Sequence, residues 1–303
     1  MQQLISKRVL TVSVLEYFLR TIVLRYLVAK NAEFSAKRSR KMAVYANDYI
    51  GADIFINGVY EKEEIKDLLD ICLLIGIDMG QSAAIDVGAN IGNHTLAFAA
   101  HFSRVDAFEP HPDTYKLLSF NTSRITNVYT HPVGVGAEQA KQTMSECEAN
   151  YGCSSAVIMY DDAQTYEIEI MKLDDYLPDV QNLKLIKIDV EGMEYAVLKG
   201  AEQLIIKHQP VIAFEQLTDD FIDQTHETPA TRFLLTQGYE FLWMEQQQNY
   251  TRCARYLELL RTIVSGRNKR TRKMMTGDEL PRRFHPLIVA LPQELMKKLK
   301  QSI

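Results

Sequence analysis

The sequence contains few of the residues that mark specialised classes of protein. Among 303 residues there are one Trp, nine Pro, 14 Gly and four Cys. So little Pro and Gly excludes collagen-like and low-complexity chains, and a hydrophobic content of 47% argues against general disorder. The four cysteines are widely separated and form no C-x-x-C pair, which argues against both a disulfide framework and a zinc module. They are Cys72, Cys147, Cys153 and Cys253.

A membrane-spanning run of apolar residues is also missing. The most apolar early stretch, residues 9–29, is interrupted by Glu16, Arg20 and Arg25. A spanning helix needs about 20 mostly apolar residues. The first ten residues also lack the order of a secretory signal. We therefore expect a cytoplasmic protein.

Charge is distributed unevenly along the chain, although the net charge is only −5. Residues 1–46 carry about nine Lys and Arg against two Asp and Glu, and residues 249–303 carry about 13 against four. The middle of the chain is consequently strongly acidic. Because a nucleic-acid-binding fold presents a basic face, we predict no nucleic-acid partner. The basic ends could still contact an anionic surface.

The first sixty residues predict a helical extension followed by short strands. Residues 4–30 have apolar side chains at steps of three and four, which predicts one long helix. This helix either packs on the body or on a second copy of the chain, or lies on a membrane face. Residues 31–41 are polar and predict a hinge, and residues 44–60 predict short strands with a turn at Asn57-Gly58. We therefore divide the chain into an N-terminal extension, 1–46, and a main domain, 47–303.

From residue 82 onward, strand and helix patterns alternate. Such alternation predicts a largely parallel sheet with helices on both faces. Two stretches interrupt it and are interpreted as insertions, residues 136–182, which include a period-two strand at 166–171, and residues 250–284. The predicted strands are 83–87, 105–108, 127–133, 183–190, 210–214, 239–243 and 287–291, and the predicted helices are 62–75, 91–101, 112–121, 193–207 and 231–237.

A glycine loop is the strongest chemical signal. It runs from Asp86 to Asn93, follows an apolar strand and opens a helix. Gly88 and Gly92 allow a ligand to approach the backbone closely, and free amides at a helix start bind anionic groups. About 23 residues after Asp86 comes Glu109, at the end of the next strand. An acid at that place can accept hydrogen bonds from the two hydroxyls of a ribose.

The spacing of the loop differs from the G-x-G-x-x-G of nicotinamide-dependent dehydrogenases. Asn90 stands where a second close glycine would lie, so a pyrophosphate has less room. A ligand with a ribose and no pyrophosphate fits better, and S-adenosylmethionine is such a molecule. This makes a dehydrogenase the least favoured interpretation.

Acidic residues cluster at the carboxyl end of the predicted fourth strand. Asp189, Glu191 and Glu194 lie within six residues. If they were buried together they could not all ionise freely, so at least one pKa is expected to rise. Either Asp189 or Glu191 can then act as a general base on an acceptor hydroxyl, with Glu215 at the end of the fifth strand as a reserve. Helix capping by the same carboxylates is the alternative.

These motifs resemble those of the FkbM-type S-adenosylmethionine-dependent methyltransferases. The resemblance covers roughly residues 48–216 and rests on Asp-Val-Gly-Ala-Asn-Ile-Gly at 86–92, Phe-Glu-Pro at 108–110 and Asp-Val-Glu-Gly-Met-Glu at 189–194. It implies a class I, Rossmann-like α/β fold, namely a mostly parallel seven-stranded sheet whose last strand is antiparallel. It also implies S-adenosylmethionine as cofactor and methyl transfer to oxygen, usually on a sugar or polyketide hydroxyl.

The resemblance also implies roles for individual residues. Glu109 would hold the ribose, Val135 and Gly136 would lie by the adenine, and Asp189 and Glu191 would lie nearest the transferred methyl group. An acceptor wall is assigned to Asn150, Ser154 and Ser155 in the first insertion, with Glu215 nearby. The full set expected to bind the cofactor is Tyr60, Glu61, Asp86, Gly88, Asn90, Gly92, Asn93, Glu109, Val135 and Gly136.

Three interpretations of function remain open at this point. The first is an O-methyltransferase acting on a sugar, a glycan or a glycosylated or polyketide-like small molecule. The second is a membrane-peripheral or assembly module with a vestigial cofactor pocket. The third is a methyltransferase with a nitrogen or carboxylate acceptor, which needs a base less. The histidines show no metal-binding spacing, so we predict no metal.

Overall fold

A computed structural model describes residues 13–37, 42–45, 48–145, 165–222, 225–246 and 272–302 of the chain. It divides into two compact units, Met1–Tyr60 and Glu61–Ile303. The sequence had placed the boundary at residues 46 and 47. Residues 48–60 therefore belong to the first unit.

The first unit contains one long helix, α1 (Val14–Lys37). The helix extends further than predicted, because it continues from residue 30 to Lys37 through most of the expected hinge. The reason is local, since the segment 31–37 has neither Pro nor Gly and includes the strong helix formers Ala and Lys. Within the described residues, no helix is both long and apolar enough to cross a membrane.

The prediction of short strands at residues 44–60 was wrong, because this segment contains helix α2 (Tyr49–Asn57). Asp48 caps its start, with Oδ2 accepting a hydrogen bond of 3.0 Å from the amide of Gly51. Gly58 ends it in the left-handed conformation, at φ 93°, and its amide donates to the carbonyl of Ile54. An Asn-Gly pair supplies the positive φ that both a hairpin turn and a helix end require, so the pair alone did not distinguish the two.

The second unit is built on an eight-stranded sheet flanked by helices. The strand order is β10-β9-β11-β8-β7-β1-β2-β3. The five strands β8, β7, β1, β2 and β3 each pair in parallel with the next one in this order. Strand β11 is antiparallel to both β8 and β9, and β10 is antiparallel to β9. The strands are β1 (Ala83–Val87), β2 (Arg104–Phe108), β3 (Val128–His131), β7 (Leu183–Ile188), β8 (Val211–Gln216), β9 (Tyr239–Gln246), β10 (Arg272–Gly277) and β11 (His285–Pro292).

The predicted count of seven strands is corrected to eight. The additional strand, β10, lies in the segment 250–284 that the sequence marked as an insertion. The strand begins with two basic residues, Arg272 and Lys273. Charged residues are common on edge strands, where they oppose further pairing, and β10 is at the edge of the sheet.

The first insertion contributes a small second sheet. It contains β4 (Gly134–Val135), β5 (Ala140–Ser145) and β6 (Thr165–Met171), in the order β4-β6-β5. The period-two strand predicted at residues 166–171 is thereby confirmed as β6. Its alternating Ile168 and Ile170 are buried in a small apolar cluster with Met144.

All five helices predicted for the second unit are present, one of them divided in two, and two further helices, at residues 173–176 and 293–302, were not predicted. The predicted helix at residues 193–207 is two helices that meet at Ala201. The observed helices are α3 (Lys62–Leu74), α4 (Asn93–Ala99), α5 (Pro112–Thr122), α6 (Leu173–Tyr176), α7 (Glu194–Gly200), α8 (Glu202–His208), α9 (Pro229–Thr236) and α10 (Gln293–Ser302).

The central strands β1, β7 and β8 are the most deeply buried part of the sheet. Ile85, Ile186 and Ile212 have no exposed surface, as expected for parallel strands covered on both faces. Because β1, β2, β7 and β8 run in the same direction, their carboxyl ends lie at one edge of the sheet. The glycine loop, Glu109 and Asp189 follow the ends of β1, β2 and β7.

Candidate functional site

The glycine loop after β1 is held tightly between its two neighbouring strands. The amides of Gly88 and Ala89 donate to the carbonyl of Phe108, and the amide of Asp189 donates to the carbonyl of Val87. Gly88 has φ 76°, and a Cβ added there would lie 1.8 Å from the carbonyl oxygen of Asp189. Only glycine can therefore occupy this position without displacing the segment after β7.

The rest of the loop turns sharply into α4. Asn90 has φ 49°, a left-handed conformation that Asn tolerates better than most residues. Its Oδ1 accepts a hydrogen bond of 2.6 Å from the amide of Ile91. Gly92, at φ 96°, precedes Asn93, the first residue of α4. The loop is thus a strand-to-helix turn with positive φ at three alternate positions, 88, 90 and 92, as the motif predicted.

Glu109 lies at the end of β2 and faces this loop. Its two carboxylate oxygens accept hydrogen bonds from the amides of Asn90, at 3.0 Å, and His111, at 2.9 Å. Burial raises the pKa of Glu109 to about 7, against the opposing effect of these two amides. Each carboxylate oxygen has a second lone pair, so two further donors can bind there. The position predicted for a ribose-binding acid therefore has the required accepting capacity.

A buried charged group lies beneath the loop. Asp86 has no exposed surface and accepts a hydrogen bond of 2.6 Å from the hydroxyl of Thr95. The Nζ of Lys187, on the adjacent strand β7, lies 3.9 Å from its other carboxylate oxygen. Burial raises the pKa of Asp86, although Lys187 acts in the opposite direction. Asp86 thus contacts α4 and β7 from inside, and its predicted role in cofactor binding stays a prediction.

Asp189 and Glu215 meet at the carboxyl ends of β7 and β8. Lys187 Nζ donates to Asp189 Oδ2 at 2.8 Å. Burial alone would raise the pKa of Asp189, but the Lys187 ammonium and a hydrogen bond with Glu215 lower it. Burial and the Asp189 charge raise the pKa of Glu215 to about 8. At neutral pH the pair therefore consists of an ionised Asp189 and a protonated Glu215.

This pair lines a small cleft that is open to solvent. One wall comes from α3 and the residue before it, another from the ends of β7 and β8, and a third from the start of β11. The lining residues are Glu61, Glu64, Ile65, Leu68, His94, Lys187, Ile188, Asp189, Ala213, Phe214, Glu215, Pro286 and Leu287.

Glu191, predicted together with Asp189, is not among these lining residues. It lies in the turn before α7 with φ 47°. Burial, with the charges of Asp189 and Glu194, raises its pKa to about 7. Glu194 begins α7, and its Oε1 accepts a hydrogen bond of 3.2 Å from the amide of Gly192. This contact is made to the turn that precedes the helix, and no side chain caps the start of α7.

Glu61 is at the start of α3, at φ 51°, and its carboxylate lies 3.5 Å from Nε2 of His94. Burial, together with the Lys187 charge, lowers the pKa of His94 to about 3, so this imidazole is uncharged at neutral pH. Tyr60 belongs to the first unit, where its ring makes an edge contact with Tyr49.

Val135 and Gly136 were predicted to lie by the adenine, and this stays a prediction. Val135 and Gly136 are buried at the small sheet, where Val135 is part of the main apolar core and the amide of Gly136 donates to the carbonyl of Met171. A Cβ on Gly200 would lie 2.0 Å from the Gly136 carbonyl oxygen, so close packing accounts for this glycine pair. The predicted acceptor wall, Asn150, Ser154 and Ser155, falls outside the described residues.

Only Glu61, Asp189 and Glu215 of the lining residues were assigned a role from the sequence; among those missed are Lys187 and His94. Lys187 offered a signal, because it is a charged residue in an otherwise apolar, two-face-buried strand, and such a residue requires a partner. His94 offered none, since a histidine at the start of a helix has no pattern of its own. In the described part of the chain, no group of three or more His, Cys, Asp or Glu is arranged to hold a metal ion.

Comparison with known proteins shows the family to which the chain belongs. The profile of the methyltransferase FkbM domain matches residues 86–246, which is more than half of the chain and includes the glycine loop, Glu109, Asp189 and Glu215. The chain belongs to the FkbM methyltransferase family. The resemblance predicted from the motifs is thus confirmed, and the α/β fold described above is a methyltransferase-like fold.

Several relatives of this FkbM family member are known. Methyltransferase 1 of Beauveria bassiana is 27% identical over 192 residues, which cover 53% of this chain and 72% of that protein. Hexuronic acid methyltransferase AglP of Haloferax volcanii is 30% identical over 117 residues, covering 38% of this chain and 48% of that protein. The crystal structure of methyltransferase FkbM from Methylobacillus flagellatus aligns with a TM-score of 0.32 at 19% identity, over 55% of this chain and 49% of that one. The chain thus spans about half of the last two proteins.

Proposed function

We propose that this protein transfers a methyl group from S-adenosylmethionine to a hydroxyl oxygen of a sugar, a glycan or a glycosylated or polyketide-like small molecule. The observation that carries the proposal is the Asp189–Glu215 pair at the edge of the cleft, next to the glycine loop of a methyltransferase family member. The name of the relative that acts on hexuronic acid supports a sugar acceptor.

The residues around the glycine loop fit this cofactor by the chemistry of their donors and acceptors. Glu109 has a free lone pair on each carboxylate oxygen for the two ribose hydroxyls. Gly88, Asn90 and Gly92 would border the methionine part, where the backbone of Gly88 lacks a side chain. Bound there, S-adenosylmethionine supplies an electrophilic methyl group whose leaving thioether is neutral.

The chain itself then has two tasks, which are alignment and proton removal. Because the leaving group is neutral, no developing anion has to be stabilised on that side, and alignment accounts for much of the rate. The acceptor hydroxyl must lose a proton. Glu215, with a pKa of about 8, is a base matched to neutral or slightly alkaline pH once it is ionised. Asp189, which Lys187 holds ionised, accepts a hydrogen bond from the Lys187 ammonium and orients that donor.

The pH dependence follows from this assignment. Glu215 is protonated below about pH 8 and can accept a proton only after it has lost its own. The rate constant for methyl transfer should therefore rise with pH up to about 8 and then level off. A nitrogen or carboxylate acceptor would not require this base.

The proposal is tested by following labelled methyl transfer from S-adenosylmethionine into a panel of hydroxylated acceptors, with wild type, Glu215→Gln and Glu191→Gln. We expect Glu215→Gln to lower kcat by roughly 10²- to 10⁴-fold and to remove the rise in rate near pH 8. A greater loss in Glu191→Gln would transfer the role of base to Glu191. Transfer to amines or carboxylates only, unaffected by either variant, would refute hydroxyl methylation.

A further inference from the structure

Glu215 lies where strand β8 loses its regular pairing with both neighbouring strands. The pairs with β7 end one residue earlier, at Phe214 opposite Ile188. The pairing with β11 changes register between Phe214 and Gln216, so Glu215 falls within the irregularity. The backbone that carries the Glu215 carboxyl is therefore fixed by the residues on either side of it.

The irregularity is a β-bulge in strand β11. Between the paired residues His285 and Ile288, this strand has two residues, Pro286 and Leu287, where β8 has only Glu215. Proline has no amide hydrogen for a ladder bond, which restricts it to edge strands, strand starts and bulges. Both bulge residues line the cleft together with Glu215. The bulge therefore shapes the cleft beside this carboxyl, but it gives the Glu215 backbone no regular pairing.

Gln216 is buried on the opposite face of the sheet from Glu215, because successive side chains of a strand alternate. Its Nε2 donates a hydrogen bond of 2.6 Å to Oδ2 of Asp220, and its Oε1 accepts one of 2.8 Å from the hydroxyl of Thr228. The same Asp220 oxygen accepts a hydrogen bond of 3.2 Å from the amide of Leu217. Gln216 thus joins the end of β8 to the following turn and to the start of α9.

Thr228 is itself held in place as the N-cap of α9. Its hydroxyl oxygen accepts a hydrogen bond of 3.2 Å from the amide of Thr231, and its own amide donates to the Thr231 hydroxyl at 2.8 Å. This reciprocal capping box fixes the hydroxyl that donates to Gln216. The helix is packed in turn, since its Phe233 and Leu234 are buried in the main apolar core. Gln216 is therefore attached to a rigid element.

A buried glutamine at this position needs a reason. The four preceding buried residues of β8, at 211–214, are all apolar, and burying a polar amide is unfavourable unless it is hydrogen-bonded. Here both ends of the Gln216 amide are hydrogen-bonded. Satisfied buried networks of this kind make the local structure rigid.

We infer that Gln216 is a positioning residue, which holds the carboxyl of Glu215 against Asp189 by fastening the end of β8 to α9. This inference rests on the proposed function, in which Glu215 removes the acceptor proton. Gln216 is not a lining residue of the cleft, so it acts through the backbone that it shares with Glu215. A displacement of about 1 Å at a reacting group can lower a rate by about 10²-fold.

Loss of this attachment should also change the ionisation of Glu215. Burial and ionised Asp189 raise the pKa of Glu215 to about 8. A carboxyl that moves away from Asp189 toward solvent loses both effects, so its pKa falls toward the ordinary value. The other titratable groups of the cleft lining come from α3 and the residue before it, from α4 and from β7, and none comes from β11; they are Glu64, Glu61, His94 and Lys187.

Two variants remove the hydrogen bond between Thr228 and Gln216, namely Gln216→Met and Thr228→Val. Thr231→Val is the matched control, because it removes the other hydroxyl of the same capping box and leaves Thr228 able to donate to Gln216. The ionisation of Glu215 is followed by NMR of its side-chain carboxyl carbon, whose signal is assigned by its loss in Glu215→Gln. The midpoint should fall by about one pH unit or more in the two variants and stay near 8 in the control.

Labelled methyl transfer from S-adenosylmethionine to hydroxylated acceptors gives the second measurement. Gln216→Met and Thr228→Val should lower kcat by about tenfold or more. The KM for S-adenosylmethionine should stay within about twofold of wild type, because the glycine loop and Glu109 are unchanged. A residue that only supported the fold would lower stability without moving the Glu215 midpoint.

An unchanged midpoint in Thr228→Val, which decides the matter if Gln216→Met does not fold, would overturn the inference. An equal shift of the midpoint in Thr231→Val would overturn it as well. If the midpoint shifts as expected but the wild type methylates no hydroxyl, Gln216 does position Glu215 and only the proposed function fails. If the wild type methylates hydroxyls while the midpoint stays unchanged, the proposed function stands and this inference fails.

Discussion

Glu215 provides the sharpest test of the electrostatics, because its ionisation opposes folding. Its partly buried carboxyl hydrogen-bonds to ionised Asp189, and its pKa is raised from 4.5 to about 8. A carboxyl whose pKa is higher in the folded state binds its proton more tightly there. Between pH 4.5 and about 8 the unfolded chain has lost this proton while the folded chain keeps it. Raising the pH over this range therefore favours unfolding.

The expected magnitude follows from the shift. A difference of 8 − 4.5 = 3.5 pKa units corresponds to at most about 5 kcal/mol at about 1.4 kcal/mol per unit. The carboxyl is partly exposed and its titration is shared with Asp189, so we expect roughly 2–3 kcal/mol. Glu215→Gln removes the ionisable group and keeps a donor for Asp189. It should thus stabilise the protein by that amount at pH 8 and by almost nothing at pH 4.5.

The measurement is urea unfolding of wild type and Glu215→Gln at several pH values between 4.5 and 8.5. Glu138→Gln serves as the control, because Glu138 is exposed and its substitution should change stability by less than about 0.5 kcal/mol at every pH. The same Glu215 variant should lose methyl transfer, so that stability and activity change in opposite directions. A variant less stable than wild type at pH 8, or equally stabilised at both ends of the range, would refute the reasoning.

Three further predictions concern residues around the same strand ends. Glu109→Gln should weaken S-adenosylhomocysteine binding about tenfold or more, as measured by calorimetry. The wild-type affinity should fall as the pH drops below about 7, because Glu109 then gains its proton. An unchanged affinity in Glu109→Gln would exclude a role of Glu109 in ribose binding. Lys187→Met should lower the free energy of unfolding by about 3–5 kcal/mol, whereas the control Lys184→Met on the same strand should lower it by less than about 0.5 kcal/mol. Equal losses in the two variants would contradict a special role for the Lys187 ion pairs. Gly88→Ala should destabilise the fold by at least about 2 kcal/mol more than Gly192→Ala. Both glycines have positive φ, but only a Cβ at Gly88 would meet a backbone oxygen, at 1.8 Å. Similar Tm values for the two variants would argue against that contact.

Much of the fold was accessible from the sequence because its signals are local. The apolar strand before the glycine loop, the helix after it and the strand from Leu183 to Ile188 were all placed by patterns within a few residues. The wrong assignment of strands at α2 came from Asn57-Gly58, whose backbone requirement is the same in a turn and at a helix end. The strand β10 was missed because an edge strand needs no regular apolar pattern.

The site was only partly accessible in the same way. The sequence by itself determined that Gly88, Glu109 and Asp189 follow neighbouring strands, since parallel strands bring their carboxyl ends to one edge. Only the tertiary structure decided that Asp189 is joined by Glu215 rather than by Glu191, and that Lys187 holds it ionised. The ionisation of each carboxyl depends on its burial and on charges brought from α3, β7 and β8, which are distant in sequence and meet only in the folded chain.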